Sequence, residues 1–148
     1  MQLPRSADAL YCDRETLYLV EFKNGSLKET LGKRLNPKDD EELGINLGQR
    51  DALIEKCKDS VLICSDLWGK RTRWFREHCV FVLVYNEDKN KTALKRVASS
   101  IRNKARFGLP DKLKGFCVKD VLTLTEKEFS TSLLSTWRDA EEIAEVDA

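Results

Sequence analysis

No apolar stretch in this sequence approaches the roughly 20 residues needed to cross a bilayer. The opening Met1-Gln2-Leu3-Pro4-Arg5 also lacks the apolar core of a signal peptide, so neither a membrane nor a secretory role is expected. Charge of one sign is missing as well. Lys and Arg number 26 against 25 Asp and Glu, a net charge of +1, which excludes a basic coat that holds polyanions by bulk charge. A nucleic-acid partner would have to be gripped by a local patch. His78 is the single histidine, so multi-histidine metal sites and histidine-based triads are out of reach. The five cysteines (Cys12, Cys57, Cys64, Cys79, Cys117) include no C-x-x-C pair, which removes zinc-ribbon spacing. They read as buried, reduced thiols of a cytoplasmic protein. No G-x-x-x-x-G-K-[ST] loop is present, and Asn24-Gly25-Ser26 is too short to cradle a phosphate, so ATP use is not expected. No internal repeat is visible.

What is present suffices for one domain of 148 residues. Hydrophobic residues make up 41% and charged residues 34%, enough to fill a core and too apolar for wholesale disorder. Ala7 to Cys12 and Leu17 to Lys23 are two apolar runs around Asp13-Arg14-Glu15-Thr16, the pattern of a β-hairpin. Leu27 to Leu35 reads as a strand or a loop, and the acidic run after Asn36-Pro37 as a solvated loop. Ala52, Leu53, Cys57, Val61, Cys64 and Leu67 recur at helical spacing and predict a helix from about Gln49 to Leu67, ended by Gly69. A short helix over Thr72 to His78 follows. The continuous apolar run Val80 to Tyr85 predicts an interior strand covered on both faces. Asn86 to Lys91 reads as an exposed loop. Thr92 can cap a helix over Ala93 to Arg106, broken at Phe107-Gly108-Leu109-Pro110. Gly115 to Thr123 reads as a last strand. Thr125-Glu126-Lys127-Glu128 is a capping box for a final helix reaching about Trp137, with Asp139 to Ala148 fraying. Interleaved strands and helices predict an α/β fold: a mixed sheet with an N-terminal hairpin, flanked by helices.

The hairpin holds the sharpest chemical signal. If Cys12 pairs with Leu17, antiparallel pairing sets Asp8 opposite Glu21. Alternation then puts Lys23 on the same face as both. Two carboxylates with Cβ atoms about 5 Å apart repel unless a cation compensates. Mg²⁺ typically takes one or two carboxylates plus substrate phosphate, and a neighbouring lysine can steady a water nucleophile and the charge growing on the phosphate. A one-residue slip of register would move Asp8 to the other face.

Ala7-Asp8-Ala9 followed, thirteen residues after the aspartate, by Glu21-Phe22-Lys23 resembles the signature of the PD-(D/E)xK, or restriction-endonuclease-like, nuclease superfamily. In that superfamily the first acid sits on one core strand, the E-x-K pair on the next, and a helix and another core strand follow. The resemblance covers about residues 6–86. It implies a restriction-endonuclease-like core and Mg²⁺-dependent cleavage of DNA, less often RNA, with Mn²⁺ as substitute. Asp8 and Glu21 would be metal ligands, and Asp8, Glu21 and Lys23 the catalytic set. It allows a homodimer, since nucleases that cut both strands commonly pair their subunits. The chain departs from the pattern at Ala7, where the motif name has proline. Only seven residues precede Asp8, where the superfamily usually has a helix and a strand. The superfamily often brings a polar residue from the next helix towards the site, and Gln49, Lys56 and Ser60 are the choices here.

Two basic patches add candidates for nucleic-acid contact: Arg71, Arg73 and Arg76 among Trp68, Trp74 and Phe75, and Lys95 and Arg102 on the expected helix over Ala93 to Arg106. The bland reading of each is a solvated face whose aromatics complete the core. Two further functions fit the same residues: a non-catalytic nucleic-acid or protein interaction module on this fold, and an unrelated α/β domain whose charged triad is decorative.

Overall fold

The computed structural model describes residues 6–25, 27, 47–89 and 109–147. Strands β1 (Ala9–Asp13) and β2 (Thr16–Lys23) form the expected hairpin, joined by Arg14 and Glu15. Arg14 carries the turn with a left-handed backbone, φ 55°, a conformation that costs a residue with a Cβ about 1 kcal/mol or more. Register pairs Cys12 with Leu17 and Ala9 with Val20, as the spacing requires.

Helix α1 (Leu47–Trp68) comes next, and Gly69 follows it at φ 62°, where a left-handed residue ends a helix. Leu53, Cys57, Val61 and Cys64 are buried as expected, but Leu67 is 72% exposed. The last turn of the helix stands off the core, so helical spacing alone overstated the apolar face by one turn. Helix α2 (Thr72–His78) leads directly into β3 (Cys79–Tyr85), every residue of which is buried. β3 lies parallel to β2, with Glu21 paired to Leu83 and Lys23 to Tyr85.

Two expectations change along the C-terminal half. A short helix α3 (Leu109–Leu113) opens at Leu109-Pro110, where proline fits a first helical turn whose N–H would have no partner anyway. The last strand is β4 (Asp120–Thr125), starting five residues later than the apolar pattern implies. Gly115 sits at φ 76° in a tight turn, with Gly115 N–H donating to Val118 O at 2.9 Å and Cys117 N–H to Leu113 O at 3.1 Å, so these residues close a loop and cannot extend. The final helix does not fray after Trp137. It begins as α4 (Glu126–Phe129) under the expected capping box, widens through a π-helical turn at Ser130–Leu134, and continues as α5 (Ser135–Asp147). Residues eight apart in an unbroken α-helix lie about 80° apart around the axis. The wider turn absorbs an extra residue and lets Phe129 and Trp137 face the sheet together, their rings 5.7 Å apart. The expected elements at 28–46 and 93–106 lie outside the described residues.

The result is an α/β fold with one four-stranded mixed sheet in the order β1-β2-β3-β4. The hairpin is antiparallel, and β2, β3 and β4 run parallel. Leu17, Leu19, Phe81 and Leu83 face a core shared with α1, α2 and α3. Val20, Val80, Val82 and Val84 face a second core closed by Phe129 and Trp137. Among the described residues no helix is long and apolar enough to cross a membrane.

Candidate functional site

Asp8 lies one position before β1, and continuing the register places it opposite Glu21. The even-numbered partners Leu10 and Cys12 pair with Leu19 and Leu17, which face α1, so Asp8, Glu21 and Lys23 fall on the α1 side at one end of the hairpin. The Asp8 carboxylate is exposed, and its Oδ2 accepts a hydrogen bond from Phe22 N–H at 2.8 Å. The side chain thus extends the hairpin ladder by one acceptor after the backbone of β1 has ended. A carboxylate has two oxygens and about four lone pairs, so this bond leaves capacity for another ligand.

Glu21 is the unusual member. It is a carboxylate only 1% exposed at the end of a strand whose neighbours on that face are leucines. Burying such a charge without a partner costs several kcal/mol. Lys56 supplies the partner from α1, its Nζ 2.5 Å from Glu21 Oε1, and Lys23 Nζ stands 3.7 Å from the same oxygen. Glu21 Oε2 is buried and has no hydrogen-bond partner among the described residues. One oxygen of the carboxylate is therefore neutralised, and the other is desolvated without compensation.

One face of α1 holds this end of the hairpin. Ser60, one turn after Lys56, accepts a hydrogen bond from Ala7 N–H at 2.7 Å and donates to Lys56 O at 2.7 Å. A buried serine thus fixes the residue before Asp8, while the lysine one turn earlier reaches Glu21. Of the three polar candidates on this helix, Lys56 reaches Glu21 on β2 and Ser60 reaches Ala7, two residues before β1. Their four-residue spacing, which stacks side chains on one helix face, was the available signal. On the β3 side, Asn86 N–H donates to Lys23 O at 3.1 Å and ties the ends of β2 and β3 together.

Two carboxylates that offer only oxygen ligands suit a hard cation such as Mg²⁺, and the uncompensated Glu21 oxygen is an atom for which such an ion would provide a counter-charge. Among the described residues no group of three or more His, Cys, Asp or Glu side chains gathers to hold a metal, so water or substrate would have to complete the shell.

The arginine patch is elsewhere. Helix α2 precedes Cys79, which pairs with Leu17, at the opposite end of β2 from Glu21. Four strand residues separate those positions, about 13 Å. Arg73 is engaged with Glu77 at 3.2 Å. Trp74 stacks on His78 with centroids 4.9 Å apart and packs against the core, while Lys70 lies 5.3 Å above its ring. Arg71, Arg73 and Arg76 are exposed but do not border the acid pair. Lys95 and Arg102 lie outside the described residues.

Four of the five thiols are buried as expected, and Cys12 is not. None is in a disulfide; Cys57, Cys64, Cys79 and Cys117 are buried, and Cys12 is exposed. Cys57 and Cys117 approach to 4.0 Å. Their shared hydrogen bond and burial push the Cys57 thiol up, while the same hydrogen bond, against the effect of burial, lowers that of Cys117. On the other side of the sheet a cavity of about 530 Å³ is lined by Tyr11, Phe22, Phe129, Leu134 and Trp137. Its wall is almost wholly apolar, and the acid pair does not line it.

No family model matches the chain, and comparison with curated proteins and with solved structures gave no match.

Proposed function

We propose that this chain is a Mg²⁺-dependent nuclease of the PD-(D/E)xK type that hydrolyses DNA phosphodiester bonds, Mn²⁺ serving as substitute. The observation that carries the reading is Glu21: a buried carboxylate with one uncompensated oxygen, set by register opposite Asp8 and two residues from Lys23. Asp8 and Glu21 would hold the ion, which when bound would supply Lewis acidity at a phosphoryl oxygen. Lys23, one-third exposed beside that carboxylate, would orient the attacking water and balance charge growing on the phosphate. The cluster lies at the carboxyl end of β2 next to its parallel partner β3, where open α/β sheets commonly receive ligands. Element order adds support: an acid at one hairpin strand, E-x-K on the next, then a helix and a parallel strand. The same reading makes the protein cytoplasmic and allows two copies to act together on duplex DNA.

The test is plasmid cleavage. Mg²⁺ or Mn²⁺ should produce nicked product, EDTA should stop it, and Lys23→Ala should abolish it with DNA binding retained. Asp8→Asn keeps an acceptor for Phe22 N–H but removes the charge, so it should fold normally and lose Mn²⁺ binding in calorimetry. Unchanged Mn²⁺ affinity in that variant would remove Asp8 from the site.

One observation favours a second reading. Lys56 already neutralises Glu21 without any ion. The pair would then be a structural device of a nuclease-derived module that binds DNA without cutting it. Such a module would retard DNA on a gel and leave it intact under every divalent metal.

A further inference from the structure

We propose that Lys56 is the resident counter-ion of the site: paired with Glu21 Oε1, it neutralises the carboxylate whose other oxygen would meet a divalent cation, so that metal loading weakens the Lys56 pair and Lys56 sets the ion's affinity. This rests on the reading of Asp8 and Glu21 as metal ligands.

The argument begins with charge. Asp8 and Glu21 contribute two negative charges, and Lys23 and Lys56 two positive ones, so the cluster is neutral before any ion arrives. A divalent cation binds best where carboxylates are in excess. The two lysines are not equivalent. Lys23 Nζ, at 3.7 Å, is beyond hydrogen-bond reach of Glu21 Oε1, whereas Lys56 Nζ makes a short charge-assisted bond to it. Lys56 is therefore the cation whose bond an ion at the other oxygen would weaken. It has somewhere to go: its side chain is 21% exposed at the head of a flexible stem, so the ammonium can swing into water. Glu21 cannot follow, being 1% exposed on a strand flanked by partners on both sides. Ammonium and metal therefore compete for the charge of one fixed carboxylate.

The experiment is Mn²⁺ calorimetry on the full chain, with thermal melts alongside. Lys56→Met keeps the length and removes the charge. It should bind Mn²⁺ about tenfold more tightly than the native chain, because the ion no longer competes with a charge-assisted bond to the same carboxylate. It should also melt lower without metal and recover with Mn²⁺. Lys56→Arg retains a cation and should bind Mn²⁺ as weakly as the native chain. If Lys56→Met fails to fold without metal, Lys56→Gln, which can still donate to Glu21, replaces it with the same expected direction. Unchanged or weaker Mn²⁺ binding by the neutral variants, with the native chain binding, overturns the counter-ion role and leaves the metal site standing. Mn²⁺ binding by Lys56→Met alone supports the proposal in its strongest form, a site closed by its own lysine. No Mn²⁺ binding by any variant overturns both this proposal and the metal site beneath it.

Discussion

The two faces of the sheet are built from the same strands by different means. On one face Phe129 and Trp137 close over the valines of β2 and β3, with Trp137 stacked on Tyr11 at 4.3 Å and edge-on to Phe129. On the other, α1 packs leucines and thiols along most of β2, but at the end of that strand it meets a buried carboxylate with a lysine. Glu21 and Phe22 are adjacent in sequence and belong to opposite regimes: one buried and charged, the other apolar and 46% exposed. Burial of area stabilises the aromatic face, with no charge at stake. The α1 face bears a desolvation cost at one position, which is tolerable only while Lys56 or an equivalent cation is present.

The comparison breaks most visibly at Trp137. Trp137→Ala deletes the ring that joins Tyr11, Tyr18 and Phe129, and should cost about 3–5 kcal/mol in denaturant unfolding with no dependence on added metal. The charged face should respond asymmetrically. Lys56→Met strands a buried carboxylate and should cost about 2–3 kcal/mol, the lower end reflecting the partial exposure of the lysine. Glu21→Gln leaves Lys56 able to reach water and should cost about 1 kcal/mol. Equal losses for the two variants would show that the pair acts as a plain hydrogen bond and that desolvation of Glu21 is not the controlling effect.

A smaller effect separates the faces by pH. Cys79 lies in the α1-side core, and burial pushes its thiol well above the ordinary value of 9.0. The folded chain keeps the proton where the unfolded chain would lose it. Its stabilising contribution is thus complete below about pH 9 and declines as pH rises beyond that. Melting temperatures in reductant should fall over that range, and Cys79→Ala should flatten the slope. The smallest change expected is at the hairpin turn. Arg14→Gly relieves the left-handed strain at a cost in unfolded-chain entropy, for a net gain of about 0.5 kcal/mol. Because β1 and β2 serve both faces, that gain should appear without altering Mn²⁺ affinity.

Much of this was legible one residue at a time. The hairpin register followed from where the polar turn fell between two apolar runs, and β3 from an apolar run without alternation. The capping box at Thr125 and Glu128 is present with both of its hydrogen bonds. The misreadings share a cause. Phe116-Cys117-Val118 is apolar like a strand, yet Gly115 turns the chain so that these residues close a loop. Leu67 satisfies helical spacing but extends beyond what α1 packs against. In each case a local pattern is compatible with two outcomes, and the neighbours choose between them. At the candidate site, Asp8, Glu21 and Lys23 were legible as a set sharing a face, whereas Lys56 could not be separated from Gln49 and Ser60. Nothing along the chain says which helical residue will arrive above a given strand position.

What the residues determined alone were quantities that depend on near neighbours: strand alternation, the helical periods, the turn between β1 and β2, and the placing of Glu21 and Lys23 on one side. These are decided by backbone geometry within a few residues. Only the folded chain decided that Glu21 would be buried, that Lys56 would neutralise one of its oxygens and leave the other uncompensated, and that the arginines of α2 would lie at the far end of the strand. Those outcomes depend on where α1 crosses the sheet, and hence on contacts between residues 35 or more positions apart.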